Sequence, residues 1–217
     1  MNKASTKPKG ATSYKDTAFG IFPRSRLLDM ELEGTKKGLD FIDELTSQNE
    51  KMEVTPELIL KLHEVSFGWI FPNWAGRYRK VAVTMSGKEA PPPYKVPEMV
   101  VNLCADLTER LNHLPTSTDP TFIAQLSSLV AWFQHRFVVI HPFVDYNGRT
   151  ARMLTVFLLL LLGLPAVEIE ADRGYARKRY IEAMQEADRG NPKFLEDIIG
   201  KAISKRLEQV GFKEENG

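Results

Sequence analysis

The chain has 217 residues, with 29 lysine and arginine residues against 28 aspartate and glutamate residues and a formal net charge of +1. This balance excludes a partner bound by charge along the whole chain, and we expect no direct nucleic-acid binding, which selects for a basic excess. The hydrophobic content of 43% excludes a disordered chain and is enough for a real core. The single cysteine, Cys104, excludes an internal disulfide and fits a reducing compartment, so we expect a cytoplasmic protein.

The N-terminal residues are rich in Lys, Ser, Thr, Pro and Gly and lack the apolar segment that a secretory signal carries. We therefore predict a flexible arm over residues 1–17. The rest of the chain, residues 18–217, is predicted to form a single helical domain with its core at about 55–200.

Helix signals recur along this domain and predict a nearly all-α fold. Thr55 with Pro56, and Asp119 with Pro120, each pair an N-cap residue with a proline at the first helical position, where a missing N–H costs nothing. Helices are predicted at about 25–48, 57–70, 97–113, 121–140, 149–162, 173–188 and 192–210. Residues 80–85 alternate and carry β-branched side chains, which predicts one strand of a small β-hairpin that turns after Met85.

The most hydrophobic run is MLTVFLLLLL at residues 153–162. A membrane span needs about 20 apolar residues, so this run is too short to cross a bilayer. A helix that is apolar on all sides is normally buried. We expect a central core helix here and no association with a membrane.

The residues that carry chemistry are concentrated at 141–152, HPFVDYNGRTAR, in front of this central helix. Pro142 ends the preceding helix and holds His141 at a fixed position, where an imidazole with a pKa near 6.5 suits a general base. Asp145 offers the hard oxygen ligand that Mg²⁺ prefers when it is shared with phosphates. The segment therefore predicts a base and a cation ligand in one loop.

Anion-binding groups follow directly. Asn147 and Gly148 precede the start of the next helix, where backbone N–H groups and the helix dipole favour a negative charge. Arg149 and Arg152, three residues apart, project from neighbouring positions on its first turn. Each of these residues alone is more often structural, but together with the base and the carboxylate they predict a polyphosphate site.

This segment resembles the signature of the Fic (filamentation induced by cAMP) family, HPFx[D/E]GNGRxxR. The matching positions are His141, Pro142, Phe143, Asp145, Asn147, Gly148, Arg149 and Arg152. Weaker resemblance covers most of residues 55–200. The family resemblance implies a bundle of about eight helices with one β-hairpin flap, and transfer of AMP from ATP to a protein hydroxyl.

The resemblance also implies a role for each motif residue. His141 would take the proton from a Ser, Thr or Tyr hydroxyl of the target, and Asp145 would hold Mg²⁺ between the α- and β-phosphates of ATP. Phe143 would pack into the core. The phosphates would be held by Asn147, Gly148, Arg149 and Arg152, the last of which would pair with the γ-phosphate.

One position departs from the family pattern, because Tyr146 stands where Gly is most common. If the backbone there needs a positive φ, tyrosine is strained by about 1–3 kcal/mol. Its backbone N–H is retained, so we expect a working site with altered access or nucleotide orientation. In a phosphorylating branch of the family a Lys replaces Gly148; the Gly here, together with Arg152, favours nucleotidyl transfer.

The resemblance implies partners as well. A target protein is expected to dock by strand addition on the hairpin that contains Val81 and Met85. Many family members carry an inhibitory helix with the pattern [S/T]xxxE[G/N], whose Glu pairs with the second motif arginine. Glu33 matches the end of this pattern, although Asp29 replaces Ser or Thr, and Glu215 matches less well. Otherwise a separate antitoxin chain could supply the glutamate, as expected of a toxin-like protein.

Three alternatives remain open from the sequence. The motif fixes phosphates and says little about the base, so UMP or phosphocholine could be transferred instead. Tyr146 could mark a catalytically inactive Fic-fold binding module. A metal hydrolase using His141 and Asp145 would need a third ligand, and the other histidines, at 63, 113 and 135, lack metal-site spacing.

Overall fold

A computed structural model describes residues 14–48, 52–85, 88–171 and 174–211. These residues form seven α-helices, so the nearly all-α prediction is confirmed, with seven helices rather than about eight. The helices are α1 (Arg24–Ser47), α2 (Pro56–Phe67), α3 (Val96–Asn112), α4 (Phe122–Ile140), α5 (Asn147–Leu161), α6 (Gly174–Asp188) and α7 (Lys193–Gln209). A single 3₁₀ turn, Pro93–Lys95, leads into α3.

Two small antiparallel hairpins accompany the helices, where the sequence predicted one. Strands β1 (Tyr14–Thr17) and β2 (Gly20–Pro23) form the first, and β3 (Thr84–Met85) and β4 (Lys88–Glu89) form the second. Strand β1 comprises residues 14–17 of the predicted arm, and the rest of that arm lies outside the described residues. The predicted strand at 80–85 is reduced to its last two residues, and the carbonyl of Val81 accepts a hydrogen bond from the Arg79 side chain.

The helix starts follow the local signals closely. The Thr55 hydroxyl accepts the N–H of Leu58 at 3.2 Å, and Pro56 is the first residue of α2, as predicted. Asp119 instead accepts from both the N–H and the hydroxyl of Thr121, which forms a turn before α4 begins at Phe122. The proline signal at 119–120 therefore marks a turn just ahead of the helix.

Helix α5 is the central helix, as its apolar sequence predicted. It packs against α1, α2 and α4, and α4 in turn packs against α3 and α7. Its buried side chains include Met153, Leu154, Phe157, Leu158 and Leu159. Within the described ranges, none of the helices combines the length and the apolar character that crossing a membrane requires.

Two glycines on α1 allow it to approach α2 closely. A Cβ atom at Gly34 would collide with the backbone carbonyl of Ser66, and one at Gly38 would collide with the Ser66 hydroxyl. These glycines are four residues apart and therefore lie on one face of α1. The close contact brings the first half of α1 beside the loop that precedes α5.

Candidate active site

The loop between α4 and α5, residues 141–146, is called the motif loop below. His141, which caps α4, has φ 52°, and Tyr146, which precedes α5, has φ 60°. These are the only non-glycine residues with positive φ in the described parts of the chain. Such backbone is uncommon for these residue types and needs surrounding contacts to hold it.

The Asn147 side chain holds the motif loop through two hydrogen bonds to Phe143. Its side-chain oxygen accepts the N–H of Phe143 at 2.9 Å, and its side-chain nitrogen donates to the Phe143 carbonyl at 3.0 Å. Both side chains are buried, as the resemblance implied for Phe143. The Asn147 side chain thus shapes the loop, while the backbone N–H groups of Asn147 and Gly148 begin α5.

His63 on α2 supports the same loop. Its Nδ1 accepts the N–H of Gly76 at 3.0 Å, so Nε2 carries the proton and donates to the Asp145 carbonyl at 3.2 Å. The ring stacks on Phe143 with centroids 3.7 Å apart. Burial lowers the pKa of His63 to about 4, although the bond to the carbonyl and the charge of Asp145 oppose this shift. His63 is therefore a neutral structural group, and its sequence carried no signal of this contact.

Arg79 joins the end of α4 to the β3–β4 hairpin. The side chain is almost fully buried, and its own N–H donates to the Pro142 carbonyl at 2.9 Å. Its guanidinium donates at 2.6–3.3 Å to four backbone carbonyls, those of Val81, Pro91, Ile140 and His141. The sequence resemblance included this residue but gave it no role.

His141 has the protonation expected of a general base. Its Nδ1 lies 3.3 Å from the Val138 carbonyl, which can only accept, so Nε2 carries the lone pair of the neutral ring. Burial lowers the pKa of His141, and the charge of Arg79 lowers it further, against the effects of Val138 and Asp145. The imidazole is therefore neutral near pH 7 and ready to accept a proton.

Asp145 presents an ionised carboxylate at the mouth of the loop, with 46% of its side chain exposed. The N–H of Tyr146 donates to Oδ1 at 2.7 Å, and the ammonium of Lys15 on β1 pairs with Oδ2. Burial opposes ionisation, but the Lys15 charge and these hydrogen bonds hold the pKa of Asp145 below its usual value. Lys15 lies in the predicted arm and was not foreseen as part of the site.

Tyr146 is buried against aromatic side chains of the core. Its ring stacks with Phe67, Phe71 and Trp74 at centroid distances of 4.2, 5.6 and 6.0 Å. The hydroxyl accepts from Lys15 at 3.1 Å and donates to Glu31 on α1 at 2.7 Å. Stacking of this kind is worth about 0.5–1.5 kcal/mol per pair and offsets the strain of the left-handed backbone.

The glutamate that reaches the site is Glu31 and not Glu33. Glu31 is buried, and its Oε2 lies 2.9 Å from Nη1 of Arg149. Glu33 is half-exposed and pairs with Lys37 on the same helix at 3.5 Å. Gly34 faces α2. Glu31, three positions earlier, lies on the same face of α1, and Glu33 does not. The assignment of Glu33 to the motif arginines is therefore wrong, and Glu215 lies outside the described residues.

Arg152 lies over the start of α5, on the side of α6. A Cβ atom at Gly148 would be 3.5 Å from Nη1 of Arg152, and its guanidinium lies 5.9 Å from the ring of Tyr180. The motif loop and the first two turns of α5 thus bring together all six residues that the sequence singled out for the site. The Nε2 of His135 donates to the Asp188 carboxylate at 2.9 Å, away from this group.

These features define a class of protein. It is a helical domain in which a loop between two central helices presents a neutral histidine, an ionised carboxylate and arginines at a helix N-terminus. Residues 53–159 match the family model described as the Fic/DOC family. The chain belongs to this family, as the motif resemblance predicted.

Curated relatives are similar over most of this chain. A protein of Nematostella vectensis named protein adenylyltransferase Fic is 29% identical over 179 residues, which cover 81% of this chain and 38% of the relative. Protein adenylyltransferase fic-1 of Caenorhabditis briggsae is 30% identical over 162 residues, covering 74% and 29% respectively. The chain therefore spans about a third of the length of these relatives.

Solved structures share the fold. Fic-1 (residues 134–508) from C. elegans superposes with a TM-score of 0.62 at 25% identity and covers 82% of this chain and 51% of that one. The BepC protein of Bartonella tribocorum, solved with bound AMPPNP, gives a TM-score of 0.67 at 19% identity and covers 91% and 95%. The Fic-type helical fold is thereby confirmed.

Proposed function

We propose that this chain transfers AMP from ATP to a hydroxyl group of a protein, its own or a target's. The observation that carries this proposal is the placement of His141, Asp145 and the arginines of α5 around one short loop. The names of the curated relatives, protein adenylyltransferases, support it. Because the chain matches only part of those proteins, the activity needs a direct test.

The base in this reaction is His141. Its Nε2 takes the proton from the attacking hydroxyl as the oxygen bonds to the α-phosphorus of ATP, and pyrophosphate leaves. The Val138 carbonyl holds the other ring nitrogen and fixes the tautomer. A positioned base of this kind contributes about 10²–10⁴-fold to the rate.

The phosphates are assigned to the start of α5. Its first backbone N–H groups have no carbonyl one turn earlier within the helix, and the helix dipole favours an anion there. Arg149 and Arg152 add two positive charges at neighbouring positions on the first two turns. Charge that develops on the leaving pyrophosphate is stabilised by these fixed donors.

Asp145 fits a magnesium ion that is shared with the nucleotide. Its carboxylate is ionised and partly exposed, and no group of three or more His, Cys, Asp or Glu side chains capable of holding a metal occurs in the described ranges. Mg²⁺ is commonly held by one or two carboxylates together with substrate phosphates. When bound, the ion would neutralise phosphate charge in the transition state.

The target is proposed to dock on the β3–β4 hairpin. The hairpin has only two residues in each strand, and Val81 at its base is more than half exposed. An extended target segment could add to its edge through main-chain hydrogen bonds. The antitoxin chain, the toxin-like role and the cytoplasmic location stay predictions.

A labelling experiment tests the function. Purified protein with Mg²⁺ and α-labelled ATP should label itself or a protein in a cell lysate. His141→Ala should lose this label by at least about 100-fold, because the base is removed. His113→Ala, which alters an exposed histidine, serves as the matched control and should label like the wild type.

The remaining alternatives give different results in the same assay. Label from γ-labelled but not α-labelled ATP would identify phosphoryl transfer. Stronger label from UTP or CDP-choline would identify another transferred group. Absence of label from every donor, in the wild type and in Glu31→Gln, would overturn the proposal in favour of a binding module.

A further inference from the structure

We propose that Arg79 is a positioning residue for this reaction, because its guanidinium fixes the His141 backbone and ties it to the hairpin assigned to the target. The inference rests on the proposed function and adds a residue outside the motif. Arg79 is 62 residues from His141 in sequence.

The charged side chain of Arg79 is buried. The side chain is 2% exposed, and the partners found for its guanidinium are backbone carbonyls rather than a carboxylate. A buried charge is costly unless hydrogen bonds satisfy it. Two of these carbonyls, of Ile140 and His141, belong to the end of α4, where the helix dipole is negative. The charge is thus placed where a helix C-terminus compensates it.

Arg79 also holds the backbone of the motif loop at His141. Its carbonyl accepts from Nε of Arg79 at 2.6 Å, and the next carbonyl, of Pro142, accepts from the Arg79 N–H at 2.9 Å. Two successive carbonyls of the motif loop are therefore held by one residue. Because His141 is in the left-handed region, this clamp maintains a backbone that histidine adopts only under constraint. The direction of the imidazole follows from that backbone.

Arg79 holds the β3–β4 hairpin as well. The same guanidinium donates to Val81 before β3 and to Pro91 after β4, at 3.0 and 2.6 Å. Both ends of the hairpin are thereby fixed relative to the carbonyl of His141. A hydroxyl presented by a segment on this hairpin would keep a constant distance from Nε2 of His141. Near-attack geometry depends on such fixed distances.

Electrostatics point in the same direction. The charged groups that act on the His141 ring are Arg79, which lowers the pKa, and Asp145, which raises it. Burial also lowers the pKa and is the largest effect. Arg79 therefore favours the neutral imidazole that accepts a proton. Removing its charge raises the pKa of His141 and moves the acid limb of the pH–rate profile to higher pH.

The acceptor pattern requires arginine in particular. Four carbonyls around one planar group match the fixed fork of guanidinium donors, whereas an ammonium is a compact point charge with three donors. Arg79→Lys therefore keeps the charge and loses part of the clamp. Arg79→Met loses both. This pair of variants separates positioning from electrostatics.

The experiment measures AMP transfer as a function of pH for the wild type, Arg79→Lys, Arg79→Met and the exposed control Arg77→Met. Arg79→Lys should lose about 100-fold in kcat, with little change in KM for ATP and an unchanged acid limb. Arg79→Met should lose at least as much and show its acid limb at higher pH. Arg77→Met should match the wild type.

An NMR titration of the His141 ring, assigned by comparison with His141→Ala, provides a readout that needs no catalysis. The His141 pKa should be higher in Arg79→Met than in the wild type. An unchanged pKa, or wild-type kcat in Arg79→Lys, would overturn the inference. If Arg79→Met does not fold, Arg79→Lys decides the outcome through its kcat. Absence of transfer in the wild type would contradict the proposed function. The effect of Arg79 on the His141 pKa would then be tested by the titration alone.

Discussion

The two ends of the motif loop are held in different ways. At the His141 end, the supports are the backbone-bound guanidinium of Arg79 and, on Phe143, the stacked neutral ring of His63 and the amide of Asn147. All three lie within residues 53–159, the part that matches the family. At the Tyr146 end, besides the aromatic stacking, two ion pairs come from residues that precede this part of the chain, Lys15 and Glu31.

The two ends therefore differ in whether their contacts occupy groups that suit a ligand. The hydrogen bonds of Arg79 and Asn147 at the His141 end go to backbone groups of the loop. At the other end, Lys15 pairs with the carboxylate that suits a cation, and Glu31 pairs with an arginine that suits a phosphate. Tyr146 bonds to both Lys15 and Glu31 through one hydroxyl. We expect substitutions at the first end to affect stability or rate, and those at the second end to affect ligand affinity.

The largest effect is expected from the pH dependence of stability at His63. Its pKa is about 4 in the folded chain against 6.5 when unfolded, so the unfolded state binds more protons between these values. The free energy of unfolding should therefore fall as the pH drops from 6.5 towards 4, by up to about 3 kcal/mol from this residue. Urea unfolding at several pH values measures it.

The contribution of His63 is the difference between the wild type and His63→Gln across that pH range. His113→Gln, at an exposed histidine, should retain the wild-type slope. If the free energy of unfolding has the same pH slope in His63→Gln and in the wild type, His63 is not buried in its neutral form. The His141 end of the loop is then held less firmly.

The next effect concerns Glu31. Glu31→Gln removes the negative charge that competes with phosphate for Arg149, so ATP should bind about tenfold more tightly, which corresponds to about 1.4 kcal/mol. Isothermal titration calorimetry with a non-hydrolysable ATP analogue measures the change. Glu33→Gln is a matched control on the same helix and should leave the affinity unchanged. An effect of Glu33→Gln equal to that of Glu31→Gln would restore the sequence hypothesis.

The smallest effect is expected at Lys15. Lys15→Met frees the Asp145 carboxylate, and Mn²⁺ in the presence of an ATP analogue should bind about threefold more tightly, because a partly exposed ion pair is worth at most about 1 kcal/mol. Electron paramagnetic resonance of free Mn²⁺ measures the affinity. Lys15→Arg keeps the positive charge and should resemble the wild type. Weaker binding by Lys15→Met would mean that Lys15 holds phosphate instead of competing with the cation.

The sequence alone determined the helices and the content of the motif. Capping residues, prolines and apolar periodicity act over a few positions, so Thr55, Pro56 and the run at 153–162 were sufficient to place α2 and the buried α5. The motif residues are also close in sequence, and they lie in one loop and at the start of the helix that follows it. Their grouping needed no knowledge of the rest of the fold.

Only the tertiary structure decided what surrounds the motif. Lys15 reaches Asp145 across 130 positions, Glu31 reaches Tyr146 across 115, and His63 reaches Asp145 across 82. The choice of Glu31 over Glu33 depends on which face of α1 packs against α2, which the glycines at its contact with Ser66 settle. Such contacts leave no local periodic signal, because they arise from the packing of whole helices and not from the propensities of neighbouring residues.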